Sequence, residues 1–121
     1  MSAQAEERVM CFVYTQPKPG HETEYHEWYD DRHLQDVAKV PGVVSAKRYE
    51  LVEAATAGAT PPASFLAIYE IHGDPVEFVK ELRGRFGTDA MPASPALDQA
   101  SISMSFWKAR GPRVTQFSGE T

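Results

Sequence analysis

"YHEWYDDRHLQDVAKVPGVVSAKRYEL", residues 25–51, contains most of a helix, its stop and the strand that follows. Aromatic, histidine and valine positions recur at helical intervals up to Val40. Pro41-Gly42 then ends the helix, because that pair cannot continue one. The helix is predicted over residues 21 to about 40, and "VVSAKRYEL" (43–51) as a strand. Upstream, "RVMCFVYT" (8–15) is a β-branched and aromatic run stopped by "QPKPG", expected to be a strand buried on both faces. Downstream, "EAATAGATPPA" (53–63) is a small-residue loop and "SFLAIYEI" (64–71) a third strand.

"GDPVEFVKELRGRF" opens a second helix. Asp74 suits the N-cap, Pro75 the first helical position, and Glu77 a capping box. Val76, Val79, Leu82 and Phe86 share one face and are expected in the core. "TDAMPASPALDQA" (88–100) reads as a proline-containing loop. "SISMSFW" (101–107) alternates strictly, with Ile102, Met104 and Phe106 on one face and Ser101, Ser103, Ser105 and Trp107 on the other.

The order β-α-β-β-α-β defines an α+β, ferredoxin-like unit: a four-stranded antiparallel sheet with both helices on one face. The chain of 121 residues is expected to form one such domain over 1–110, with 111–121 as a C-terminal arm. Helices on one face leave the other uncovered. The third strand carries bulk on both faces, so a homodimer through the open sheet faces is the expected second layer.

Net charge is −5, from 12 basic and 17 acidic residues, and no basic stripe is present, which argues against nucleic-acid binding. Apolar runs fall far short of the roughly 20 residues of a membrane span. The N-terminus lacks the features of a signal peptide, and the single cysteine, Cys11, fits a reducing cytoplasm as a small buried hydrophobe.

The first helix carries the chemistry. At about 100° per residue, Tyr29, His33, Val37 and Val40 fall within about 60° of His26, with Asp30 about 40° to the other side and Trp28 and Asp31 pointing away. The inward face is thus apolar at one end and polar-aromatic at the other, as a helix lining a polar-atom site would be. Asp30 and Tyr29 precede His33 by three and four residues, within reach on one surface. A carboxylate would fix the imidazole tautomer, and a phenol beside it would hold an oxyanion or relay a proton. His33, Tyr29, Asp30 and His26 are therefore the catalytic candidates. Trp28, Phe65, Tyr69, Ser103 and Trp107 are the substrate-contact candidates. No metal site is expected, since His26 and His33 are separated by about 10.5 Å of helix rise against metal–nitrogen bonds of about 2.1 Å.

Tyr25, Trp28, Tyr29, His33, Leu34, Pro41 and Gly42 together resemble the first-helix pattern and "PG" turn of the EthD-like branch of the dimeric α/β-barrel superfamily. Gln35 stands where that family often has proline. The resemblance implies a homodimer whose sheets pack face to face, and a ligand cleft between the first helix and its own sheet. That superfamily includes cofactor-independent cyclases, isomerases, quinol-forming monooxygenases, haem-degrading enzymes and proteins without assigned activity. The expected function is cofactor-free acid/base chemistry, of cyclase, lyase or isomerase type, on a small aromatic, polyketide-like or lactone substrate. The alternatives are a non-catalytic small-molecule binder or accessory protein, and a haem- or metal-dependent monooxygenase.

Overall fold

The computed structural model describes residues 8–116. β1 (Arg8–Thr15) is followed by a helical run, α1, over 22–38; then come β2 (Val43–Glu50), β3 (Phe65–His72), α2 (Pro75–Arg85) and β4 (Ser103–Lys108). The strands form one antiparallel sheet in the order β2-β3-β1-β4, the ferredoxin-like α+β architecture. No helix among the described residues is long and apolar enough to cross a membrane.

Register assigns the two faces. Cys11 pairs with Tyr69 and Phe106, and Val13 with Ala67 and Met104, so these side chains share the helix-covered face. The core forms there from Cys11, Val13, Ala67, Tyr69 and Ile71 against Tyr25, Tyr29, Val37 and Val40. β1 is therefore buried on one face only. Its other side chains, Met10, Phe12 and Tyr14, are half-buried beside Leu66 and Ile68 on the open face, where Trp107 is 60 % exposed.

Three expectations about elements need correction. Val76 is 61 % exposed and Phe78, which the stripe omitted, is buried, so α2 faces the sheet through Phe78, Val79 and Leu82. Asp74 does cap α2, accepting from the Val76 N–H at 2.9 Å, but Glu77 pairs with Lys80 at 3.6 Å instead of turning back to the cap. The proline-containing loop is core, with Met91, Ala96 and Leu97 buried in it. It ends in a 3₁₀ turn over Gln99–Ser101, which delays β4 to Ser103.

α1 is not of one pitch. Glu22–Trp28 and Leu34–Ala38 are α-helical, and Tyr29–His33 between them is a π turn, closed by the Leu34 N–H donating to the Tyr29 carbonyl five residues back. Gly42 then turns the chain into β2 at φ +96°, with its carbonyl accepting from the His72 N–H at 2.7 Å.

Candidate active site

Between α1, α2 and the sheet lies a cavity of about 530 Å³. Trp28, Tyr29 and His33 line it from α1, and Val79, Leu82, Arg83 and Phe86 from α2 and its end. Val13, Thr15, Tyr69, Met104 and Phe106 line it from the sheet. Its size is that of an ordinary small-molecule site, and its walls are mostly aromatic and aliphatic.

His33 is 8 % exposed and packed among rings. Trp28 stacks on it at 4.5 Å between centroids and 20° between planes, while Tyr29 and Phe86 meet it edge-on at 4.9 and 5.8 Å. Nδ1 is enclosed without a hydrogen-bond partner, so polar exchange with a ligand falls to Nε2. Burial pushes the imidazole down to about 4, outweighing Asp36, which raises it; Arg48 lowers it further. The ring is therefore neutral at pH 7. Asp36, itself buried, is held by the Arg32 Nε–H at 2.7 Å.

The π turn explains how Trp28 reaches this site, against the expectation that it points away. Five residues in a regular α-helix turn by about 140° beyond a full circle, which would put Trp28 and His33 on different faces. A turn closed at i→i+5 brings them over one another. The Trp28 Nε1–H donates to the Pro92 carbonyl at 2.9 Å, fixing the indole under the buried loop.

Two tyrosine hydroxyls, of Tyr29 and Tyr69, lie 3.5 Å apart in the buried wall. Burial pushes Tyr29 up to about 12 and Tyr69 well above its ordinary value, so both remain phenols and can donate. Tyr25, buried beside them, hydrogen-bonds Thr15.

His26 and Asp30 are elsewhere. With Arg48, Tyr49, Glu50 and Phe65 they line a separate, outward cleft of about 400 Å³. Arg48 donates to Asp30 at 2.8 Å and lies 3.2 Å from the His26 Nδ1, so Asp30 does not orient His33 as expected. Phe65 packs edge-on against His26 at 4.6 Å and faces this cleft. Ser103 and Trp107 are on the open sheet face, where the Trp107 indole N–H donates to Ser105 at 2.8 Å. Of the nine candidates, the structure gathers His33, Tyr29, Trp28 and Tyr69 in one cavity. Among the described residues there is no cluster of three or more groups able to hold a metal ion.

Arg48 was missed. Its guanidinium carbon lies 4.4 Å from the Tyr29 ring centroid and 5.4 Å from that of Tyr25, a cation on the outer side of the cavity wall. A bulge between Val43 and Ser45 shifts the parity of β2, so alternation read from Val43 would have turned Arg48 outward.

The fold and this cavity define an α+β, ferredoxin-like domain with an aromatic-walled cavity beneath its first helix. No family model matches the chain, and no curated protein matches it. Solved structures do resemble it. A conserved protein from Methanosarcina mazei Go1 superimposes with a TM-score of 0.61 at 15% identity, over 91% of this chain and 100% of that one. A protein from Shewanella loihica PV-4 described as a "putative monooxygenase" gives 0.57 at 11%, over 87% and 96%. A protein from Bacillus halodurans C-125 described as an "ethyl tert-butyl ether d (ethd) family protein" gives 0.47 at 14%, over 85% and 98%. At these identities the likeness to the first two supports the fold alone.

Proposed function

We propose that the cavity is the active site of a cofactor-independent enzyme acting on a small aromatic, polyketide-like or lactone molecule. One observation carries this reading: His33 is a neutral imidazole in the wall of a mostly apolar cavity, beside the two buried tyrosine hydroxyls of Tyr29 and Tyr69.

The chemistry follows from the arrangement. Nε2 of His33 takes the proton next to a substrate carbonyl, the C–H electron pair passes to the carbonyl oxygen, and the phenols of Tyr29 and Tyr69 donate to the enolate so formed. The imidazolium returns the proton to another carbon for isomerisation, or the enolate carbon attacks a second carbonyl for cyclisation and the imidazolium protonates the alkoxide so formed. Burial disfavours a lone imidazolium and a lone enolate alike. Formed together across a dry cavity, the two charges compensate each other.

The test is α-proton exchange. Small β-diketones and aromatic ketones incubated with the protein in D₂O are expected to gain deuterium faster than in buffer, read by NMR. His33→Gln should slow that exchange by at least about 100-fold. Compounds that bind without exchange would remove the catalytic reading and leave a small-molecule binder, which the weak basicity of His33 suits.

The same reading includes a second copy of the chain across the open sheet face. Met10, Phe12, Leu66 and Ile68 are only half-buried there and Trp107 is exposed, an apolar surface that a homodimer would cover. Sedimentation equilibrium is expected to give twice the chain mass of 13.4 kDa, and Trp107→Glu with Phe12→Glu to shift it toward the monomer.

A further inference from the structure

We propose that the ligand of this cavity carries a carboxylate, held at the mouth by Arg83, while its apolar body enters toward His33. This rests on the cavity being a small-molecule site. Arg83 is the single charged side chain among the residues that line it. On the same helix Arg85 is engaged by Glu81 at 3.2 Å and Lys80 by Glu77 at 3.6 Å, whereas Arg83 forms no ion pair among the described residues. Arg48, Arg32 and Arg8 are likewise paired, with Asp30, Asp36 and Glu70, while Arg110 and Arg113, which also form no ion pair among the described residues, do not line this cavity. Arg83 thus keeps its planar fork of donors free at the opening of a mostly apolar chamber, the geometry that matches a carboxylate with two hydrogen bonds.

The mouth has a second property. Ile102 and Met104 line the cavity, yet they are 39 and 37 % exposed. They present apolar surface in the same cavity wall as Arg83. A molecule that is hydrophobic along its length and anionic at one end satisfies both. A neutral or cationic ligand leaves Arg83 unanswered, and a polyanion has no second cation within the cavity.

Calorimetric titration with three probes tests this: 3-(4-hydroxyphenyl)propanoate, its methyl ester, and 4-ethylphenol. The acid is expected to bind wild type about tenfold or more tightly than the ester, the value of a charge-assisted contact at a partly exposed site. In Arg83→Gln the acid should fall to the level of the ester while the ester is unchanged, and Arg83→Lys should keep part of the preference. Arg83 is exposed, so neither variant threatens the fold. Equal binding of acid and ester to wild type, or a preference that survives Arg83→Gln, overturns the proposal. If only 4-ethylphenol binds, the carboxylate assignment falls and the cavity reading stands. If none of the three binds, both fall.

Discussion

Lowering the pH from 6.5 to 4 is expected to remove about 3 kcal/mol of folding stability through His33 alone. In the folded protein burial holds the imidazole at about 4, against an ordinary value of 6.5 in the unfolded chain. Above about pH 6.5 neither state carries the proton and the group is indifferent to folding. Between the two values the unfolded chain takes up a proton that the folded protein refuses, so stability falls steadily with acidification. Below about 4 both states are protonated and the loss is constant. Against a typical net stability of about 5–15 kcal/mol this is a large fraction.

Urea unfolding at pH 7 and at pH 4, on wild type and His33→Gln, isolates the effect. Carboxylates such as Glu70, held below its usual range by the hydrogen bond from Arg8, contribute to both proteins and cancel. Wild type should lose about 3 kcal/mol more than the variant across that interval. Equal losses would mean that the His33 ring exchanges protons freely with solvent, and the dry site on which the proposed chemistry depends would not exist.

Gly42→Ala is expected to cost about 3 kcal/mol or more. Two terms combine. At φ +96° a side chain is strained by about 1–2 kcal/mol. A Cβ there would also stand 2.8 Å from the His72 carbonyl oxygen, which is backbone and cannot swing aside. Relief would require parting the Gly42–His72 junction and its 2.7 Å hydrogen bond. Gly20→Ala is the control. Its φ is +84°, with nothing within 4 Å of the added carbon, so it carries strain alone. Thermal or urea unfolding should therefore place Gly42→Ala well below Gly20→Ala; equal losses would show that the chain end of α1 moves away from β3 at no cost.

The element order was legible in the sequence because each boundary is marked by a residue with one physical meaning. Pro41-Gly42 stops α1, Asp74-Pro75 starts α2, and the serine alternation in 101–107 assigns the faces of β4. The site was legible in part. His33 and Tyr29 stand out as polar groups on an inward stripe that ends in Val37 and Val40, and both lie in the cavity wall. Asp30 and His26 were drawn into the same site because a helix of uniform pitch makes them neighbours of His33. The π turn changes the pitch between them, and Arg48 engages both in the outer cleft. Neither the turn nor the β2 bulge leaves a mark that periodicity detects, since each changes the period itself. The burial of Met91 and Leu97 was hidden for another reason: they flank Pro92 and Pro95, where irregular backbone gives no repeat to read.

The changed pitch has a further meaning for how such a site can vary. A helix of one pitch transmits every rotation along its whole length, so re-aiming one end moves the other. The extra residue in Tyr29–His33 breaks that phase relation. The half bearing Trp28 and Tyr25 keeps its own angular setting, while the half bearing Val37 stays anchored to the sheet. The turn works like a vernier: chains differing by one residue at this point would share a core and enclose differently shaped chambers.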